Sequence, residues 1–367
     1  MERLKNLYSK NGQSPWLDNL KRSYLTEGTL RDLIADGVRG LTSNPTIFQK
    51  AIQGLADYDE QQTALVASGK PVIDQYWAMV LADIRGALDE FAALYTESNG
   101  GDGYVSVEVA PGLAHDSAGT EAAARELHLE IARPNLMVKI PGTAEGLPAI
   151  RRMIAEGRNI NVTLLFSLER YQSVMDAYVD GLEEYAATDG ADLAHVASVA
   201  SFFISRVDSE VDARLTTIGT PEALALIGTA AIAQAKLAYQ AFRRTFSGPR
   251  WEALAASGAV VQRPLWASTS TKNPAFPDTL YVDQLIGPDT VNTLPDATIA
   301  AFADHGTLAR TIDQDVDIAE QTWRRLAEVG VDMDDVAAKL ERDGVASFQK
   351  SFDDLLEALS TKAKTLG

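Results

Sequence analysis

The 367-residue chain reads as an α/β protein, a (β/α)8 TIM barrel with additional helices. Three observations predict this. Short β-rich runs alternate with longer helical patterns, as βαβ units of a parallel sheet require. Eight such runs can be counted, the number that closes a barrel. The length also exceeds the roughly 250 residues typical of that barrel, leaving chain for extra helices. A doubly wound sheet is the structural alternative, but the dinucleotide fingerprint is missing. Gly100-Gly-Asp-Gly103 precedes a strand instead of following one, so it reads as a turn.

In chain order, the predicted strands are Trp16 to Leu20, Gly40 to Ser43, Tyr104 to Val109 and Leu136 to Ile140. Asn159 to Leu164, Val196 to Ala200, Pro264 to Ser268 and Thr279 to Val282 complete the eight. Between them, helical spacing marks Pro71 to Tyr95, Ser117 to Ile131, Ala144 to Ala155, Leu168 to Glu184 and, in at least two pieces, Arg206 to Arg244. No linker or repeat divides the chain. Residues 1–367 are therefore expected to form a single barrel domain, with extra helices around 57–95, 219–257 and 318–366. In the last of these, Val345, Phe348, Phe352, Leu355, Leu356 and Leu359 recur at helical spacing, the pattern of a helix docked on a core.

Composition narrows the function. The hydrophobic fraction of 46% can fill a sizeable core. Thirty-three basic against 51 acidic residues leave a net charge of −18, which argues against nucleic-acid or anionic-membrane partners. Any anion site must then be local. Cysteine is absent and the four histidines are far apart in sequence, so no metal site is expected. With no signal-peptide pattern and no long apolar run, the expected location is cytoplasmic.

Chemistry in such a barrel collects at the C-terminal ends of the strands. Lys139, between Val138 and Ile140 and just before Pro141-Gly142, is a costly choice for a structural position. It is either a salt-bridged strand-end lysine or a nucleophile whose neutral amine forms a Schiff base with a carbonyl substrate. In Tyr104 to Pro111, Val105, Val107 and Val109 share one face. Glu108 then points into the barrel, where a lysine on the next strand is its natural partner. Asn161 and Thr163 share a parity and can face the same cavity. Asp18 follows the apolar Trp16-Leu17 and Asn44 stops its strand before Pro45, where each could also be a plain turn-former or helix cap. Ser201 and Arg206 lie where a strand hands over to a helix, a setting suited to phosphate. Ser268 and Lys272 lie in a Ser/Thr-rich loop that is either a second phosphate wall or ordinary solvated surface.

Five blocks in order carry a resemblance. They are Leu41-Thr-Ser-Asn-Pro-Thr-Ile-Phe48, Val105-Ser-Val-Glu-Val109, Val138-Lys-Ile-Pro-Gly-Thr143, Asn161-Val-Thr-Leu-Leu-Phe-Ser167 and Trp266-Ala-Ser-Thr-Ser-Thr-Lys-Asn-Pro274. With them the chain resembles the transaldolases, in their longer bacterial form. The resemblance implies a transferase of the pentose phosphate pathway that needs no cofactor. It would move a dihydroxyacetone unit from sedoheptulose 7-phosphate or fructose 6-phosphate to an aldose phosphate. The implied partners are small sugar phosphates, and the implied assembly is a monomer or homodimer. Lys139 matches the Schiff-base lysine, Asp18 the acid/base aspartate, and Glu108 with Thr163 the pair that holds the catalytic water. Asn44, Asn161 and Ser201 match positions that bind the dihydroxyacetone hydroxyls, with Phe203 beside them. Arg206 matches a phosphate-binding arginine, with Ser268 nearby. A second phosphate arginine after the seventh strand is replaced here by Ser270 or Lys272. The alternatives are a Schiff-base aldolase that releases dihydroxyacetone, or a non-catalytic sugar-phosphate-binding barrel.

Overall fold

The structure is a computed structural model that describes residues 2–366. Eight parallel strands close a barrel in sequence order: β1 Gln13–Leu17, β2 Leu41–Thr42, β3 Val105–Glu108, β4 Leu136–Pro141, β5 Ile160–Leu165, β6 Ser198–Phe203, β7 Arg263–Ala267 and β8 Thr290–Leu294. The ring closes where β8 pairs with β1, from Gln13 opposite Thr290 to Leu17 opposite Leu294.

Three expected strands are corrected. Thr279 to Val282 is no strand: Leu280–Asp283 is one helical turn, and the eighth strand lies further on at Thr290–Leu294. The β-branched composition of 279–282 is overridden locally, since Thr279 Oγ1 donates to Asp283 Oδ2 at 2.8 Å and closes the turn. The first strand runs over Gln13–Leu17 instead of Trp16 to Leu20, which leaves Asp18 directly at its C-terminal end. Similarly, β6 runs beyond Ala200 and carries Ser201 and Phe203 to the mouth of the barrel.

Helix caps set the strand-to-helix turns at that mouth. Asn44 Oδ1 accepts from Ile47 N at 3.0 Å to start helix Pro45–Gly54, and Ser167 Oγ accepts from Arg170 N to start Leu168–Ala186. Strand β5 carries one extra residue. Val162 pairs with Ala200 but Leu165 with Phe202, and the intervening Leu164 has φ +60°. The bulge costs backbone strain, and it re-aims the chain just after Thr163.

The opposite end of the barrel is plugged by Asp102, which was read only as part of a turn. Arg39 Nε (2.6 Å), Arg263 Nη2 (3.2 Å) and Ser14 Oγ (2.6 Å) surround its buried carboxylate. Gly40 is required nearby: a Cβ there would lie 2.5 Å from the Trp16 indole.

Several β-to-β connections hold more than one helix, among them Asp59–Ala67, Val72–Glu97, Ala230–Thr245 and Pro249–Ala256, and after β8 come Val316–Glu328 and the 34-residue Met333–Leu366. That last helix buries Phe348, Phe352, Leu355 and Leu359 and passes over the C-terminal end of the barrel. There Ser351 Oγ meets Thr46 Oγ1 at 2.8 Å. Gly344 is the point of close approach, since a Cβ there would come within 2.9 Å of Leu164 Cδ2. No described helix is long and apolar enough to cross a membrane.

Candidate active site

A cavity of about 620 Å³ opens at the C-terminal end of the strands. Asp18, Asn44, Lys139, Thr163, Ser201, Phe203, Arg206, Ser268 and Lys272 all line it. Glu108 and Asn161 lie behind this wall, buried within the barrel.

Register explains the inner cluster. Glu108, Lys139 and Asn161 are Cα partners across β3, β4 and β5, so their side chains leave the sheet on the same side. Lys139 Nζ lies 3.2 Å from Glu108 Oε2 and donates to the Ser43 carbonyl at 3.0 Å. Both readings of Lys139 therefore have a footing here, for this lysine is salt-bridged and also borders the cavity. Its side chain is 6% exposed and that of Glu108 3%. Burial pushes the Glu108 carboxyl above its ordinary range, and the adjacent Lys139 charge pulls it back.

Asn161 is held on both sides. Its amide donates to Ser106 Oγ at 3.0 Å and its oxygen accepts from Ser201 Oγ at 2.7 Å. Ser201 is thereby fixed in the cavity wall while Asn161 stays beneath it. Thr163 Oγ1 is different: it is buried and has no hydrogen-bond partner among the described residues. A buried hydroxyl in that state calls for a polar partner within the cavity.

Asp18 faces this cluster from β1. Burial raises its carboxyl, while Lys139, a 2.8 Å hydrogen bond from Thr42 Oγ1, and more distant Arg206 and Lys272 act to lower it. Thr42 in turn meets Thr293 Oγ1 at 2.6 Å. Sequence reasoning missed both threonines. Thr42 had a signal, since it shares the parity of Asn44 on β2. Thr293 had none, because its strand was not recognised.

Asn44 combines two uses: its oxygen caps helix Pro45–Gly54 while the residue borders the cavity. At the outer end, Arg206 opens helix Ser205–Ile218. Its guanidinium lies between two rings, 5.1 Å from Phe203 and 5.9 Å from Phe348. Ser268, with φ +56°, presents its hydroxyl 3.0 Å from Ser205 Oγ. Lys272 is exposed and donates to Ser270 Oγ at 2.7 Å. Burial disfavours the charged form of Arg206, while Lys272, at the exposed rim, is lowered by partial desolvation and by Arg206.

Ser347 and Phe348 of the C-terminal helix complete the wall. The apolar stripe of that helix does dock on the core, but one of its turns also shapes the cavity. The arrangement is a deep acid, base and amine cluster joined to a cationic rim. Amine addition to a carbonyl at one end, with an anion held at the other, fits that layout.

Comparison with known proteins agrees in extent. The model of the transaldolase/fructose-6-phosphate aldolase family matches residues 15–359. A transaldolase of Frankia alni is 52% identical over 361 residues, covering 98% of this chain and 96% of the relative. One from Thiobacillus denitrificans is 51% identical, covering 95% and 97%, and transaldolase 1 of Streptomyces avermitilis is 48% identical, covering 100% and 97%.

Proposed function

Because the chain belongs to the transaldolase/fructose-6-phosphate aldolase family, we propose that it transfers a dihydroxyacetone unit between sugar phosphates through a Schiff base on Lys139. The carrying observation is the buried Lys139 amine, which borders the cavity 3.2 Å from Glu108 and whose charge acts on Asp18.

In this reading the phosphate of sedoheptulose 7-phosphate or fructose 6-phosphate rests against Arg206, Ser268 and Lys272. Helix Ser205–Ile218 adds the positive end of its dipole. The ketose carbonyl then reaches Lys139, whose neutral amine adds to C2. Glu108 gives a proton to the departing C2 hydroxyl through a water that the unpartnered Thr163 hydroxyl would hold. A protonated imine results. Asn44 and Ser201 engage the hydroxyls of the three-carbon unit, with Asn161 holding Ser201 in place.

Asp18, as carboxylate, removes the C4 hydroxyl proton. The C3–C4 bond breaks, its electron pair moves into the iminium, and an enamine remains on Lys139 while the aldose phosphate leaves. A second aldehyde accepts the enamine carbon, and its new alkoxide recovers the proton from Asp18. Hydrolysis then reverses the first steps. Burial raises both carboxyls, so Asp18 and Glu108 can each hold and release a proton nearer neutrality than in water.

The test is product analysis with fructose 6-phosphate and erythrose 4-phosphate. Sedoheptulose 7-phosphate and glyceraldehyde 3-phosphate are the expected products. Free dihydroxyacetone would point to an aldolase, and no turnover to a binding barrel.

A further inference from the structure

One cation in the cavity wall is left over by this reading. Helix Pro45–Gly54 places Thr46, Ile47, Lys50 and Ala51 against the cavity, the spacing of a single helical face. Most polar neighbours on that helix are committed. Thr46 bonds Ser351, Gln49 reaches Asp354 Oδ2 at 3.3 Å, and Gln53 donates to the Asp354 carbonyl at 2.9 Å. The Lys50 side chain makes no ion pair or hydrogen bond among the described residues. In a chain with 51 acidic and 33 basic residues, a cavity-lining lysine without such a partner is conspicuous.

The charges around it sharpen the point. Lys50, Arg206 and Lys272 all line this one cavity, and Lys272 is lowered by partial desolvation, by Arg206 and by Lys50, with Asp18 opposing them. The cavity's two carboxylates carry hydrogen bonds of their own, and Asp18 offsets only part of this positive charge. Asp18 accepts from Thr42. Asp296 accepts from Asn19 at 2.7 Å and from Tyr24. A bound dianion would balance such a gathering of positive charge.

We propose that Lys50 is a specificity-determining residue that closes, with Arg206 and Lys272, around the phosphate of the sugar substrate. This rests on the functional reading above for the identity of the substrate, but phosphate recognition by Lys50 does not depend on turnover. The clamp would draw on three separate elements: the helix after β2, the loop after β7 and the helix after β6. One arginine and two lysines would then do what two arginines' forks would do, with point charges in place of the second fork.

The experiment compares the full-length protein with Lys50→Gln and Lys50→Arg, measuring inorganic phosphate binding by calorimetry and KM and kcat with fructose 6-phosphate. Lys50→Gln should weaken phosphate binding and raise KM by roughly three- to ten-fold, the size of one charge-assisted contact at a partly open site, with the larger effect on KM than on kcat. Lys50→Arg should restore most of the loss. Phosphate binding and KM both unchanged in Lys50→Gln would overturn the proposal, as would a fall confined to kcat. If phosphate binding weakens but the wild type turns over no sugar phosphate, the anion role of Lys50 stands and the transaldolase reading fails.

Discussion

Replacing Lys139 by Met tests the inner cluster through stability, independently of turnover. The two side chains of the pair are 6% and 3% exposed and 3.2 Å apart, so Met leaves Glu108 buried without its counter-charge. Breaking such a pair costs about 3–5 kcal/mol while the remaining charge persists. Glu108 is already raised by burial, and Lys139 is the main influence lowering it. Without Lys139 its folded-state pKa rises further. A group raised above its unfolded value contributes stability that is fully present below the unfolded pKa and is lost as pH climbs through the folded one. Urea unfolding should therefore find the gap between Lys139→Met and wild type constant at acidic pH, where Glu108 is protonated in both. The gap should widen, by up to about 1.4 kcal/mol per pH unit, only once pH passes the already raised wild-type value of Glu108. Adding Glu108→Gln should remove the widening and recover much of the loss at pH 8. A wild-type-to-mutant gap that is flat with pH, or survives in the double mutant, would refute the claim that these two groups share a buried site.

Other perturbations probe the surrounding frame. Thr42→Val removes a hydrogen bond that lowers Asp18, so the acidic limb of the kcat/KM profile should move to higher pH, with a loss at neutral pH of roughly ten-fold. Gly344→Leu would press on Leu164 and toward Arg206 Nη1, 3.6 Å from a Cβ at that position; unfolding should show a loss of about 1–3 kcal/mol and kinetics a higher KM. Asp208, buried against Tyr281 Oη at 2.7 Å and Ala231 N at 2.7 Å, is pushed up to about 6, chiefly by burial. Its raised value means wild-type stability relative to Asp208→Asn should fall by about 2.4 kcal/mol between pH 4 and pH 7, which denaturant midpoints across that range would record.

Much of the site was legible because barrel strands obey a two-residue period. Three valines on one face of β3 were enough to turn Glu108 inward, and a lysine before Pro141-Gly142 had little other reason to sit in an apolar strand. Reading failed where local signals conflicted with tertiary pairing. Thr290-Val-Asn-Thr-Leu294 is a buried strand whose polar residues resemble a turn, and only its pairing with β1 and β7 reveals it. Thr279 to Val282 carries strand-like residues yet forms a helical turn. The C-terminal helix announced its apolar stripe, but a stripe does not say which turn crosses the barrel mouth, so Phe348 was seen as core and not as cavity wall. Lys50 was silent for the same reason. A lysine on a helix face is ordinary until folding sets it beside Arg206 and Lys272.

The most direct measurement is borohydride reduction in the presence of fructose 6-phosphate, followed by peptide mapping. A reduced three-carbon unit should be found on the peptide containing Lys139 and nowhere else. Modification of a different lysine, or none in protein that turns over the sugar, would contradict a covalent path through the barrel's centre.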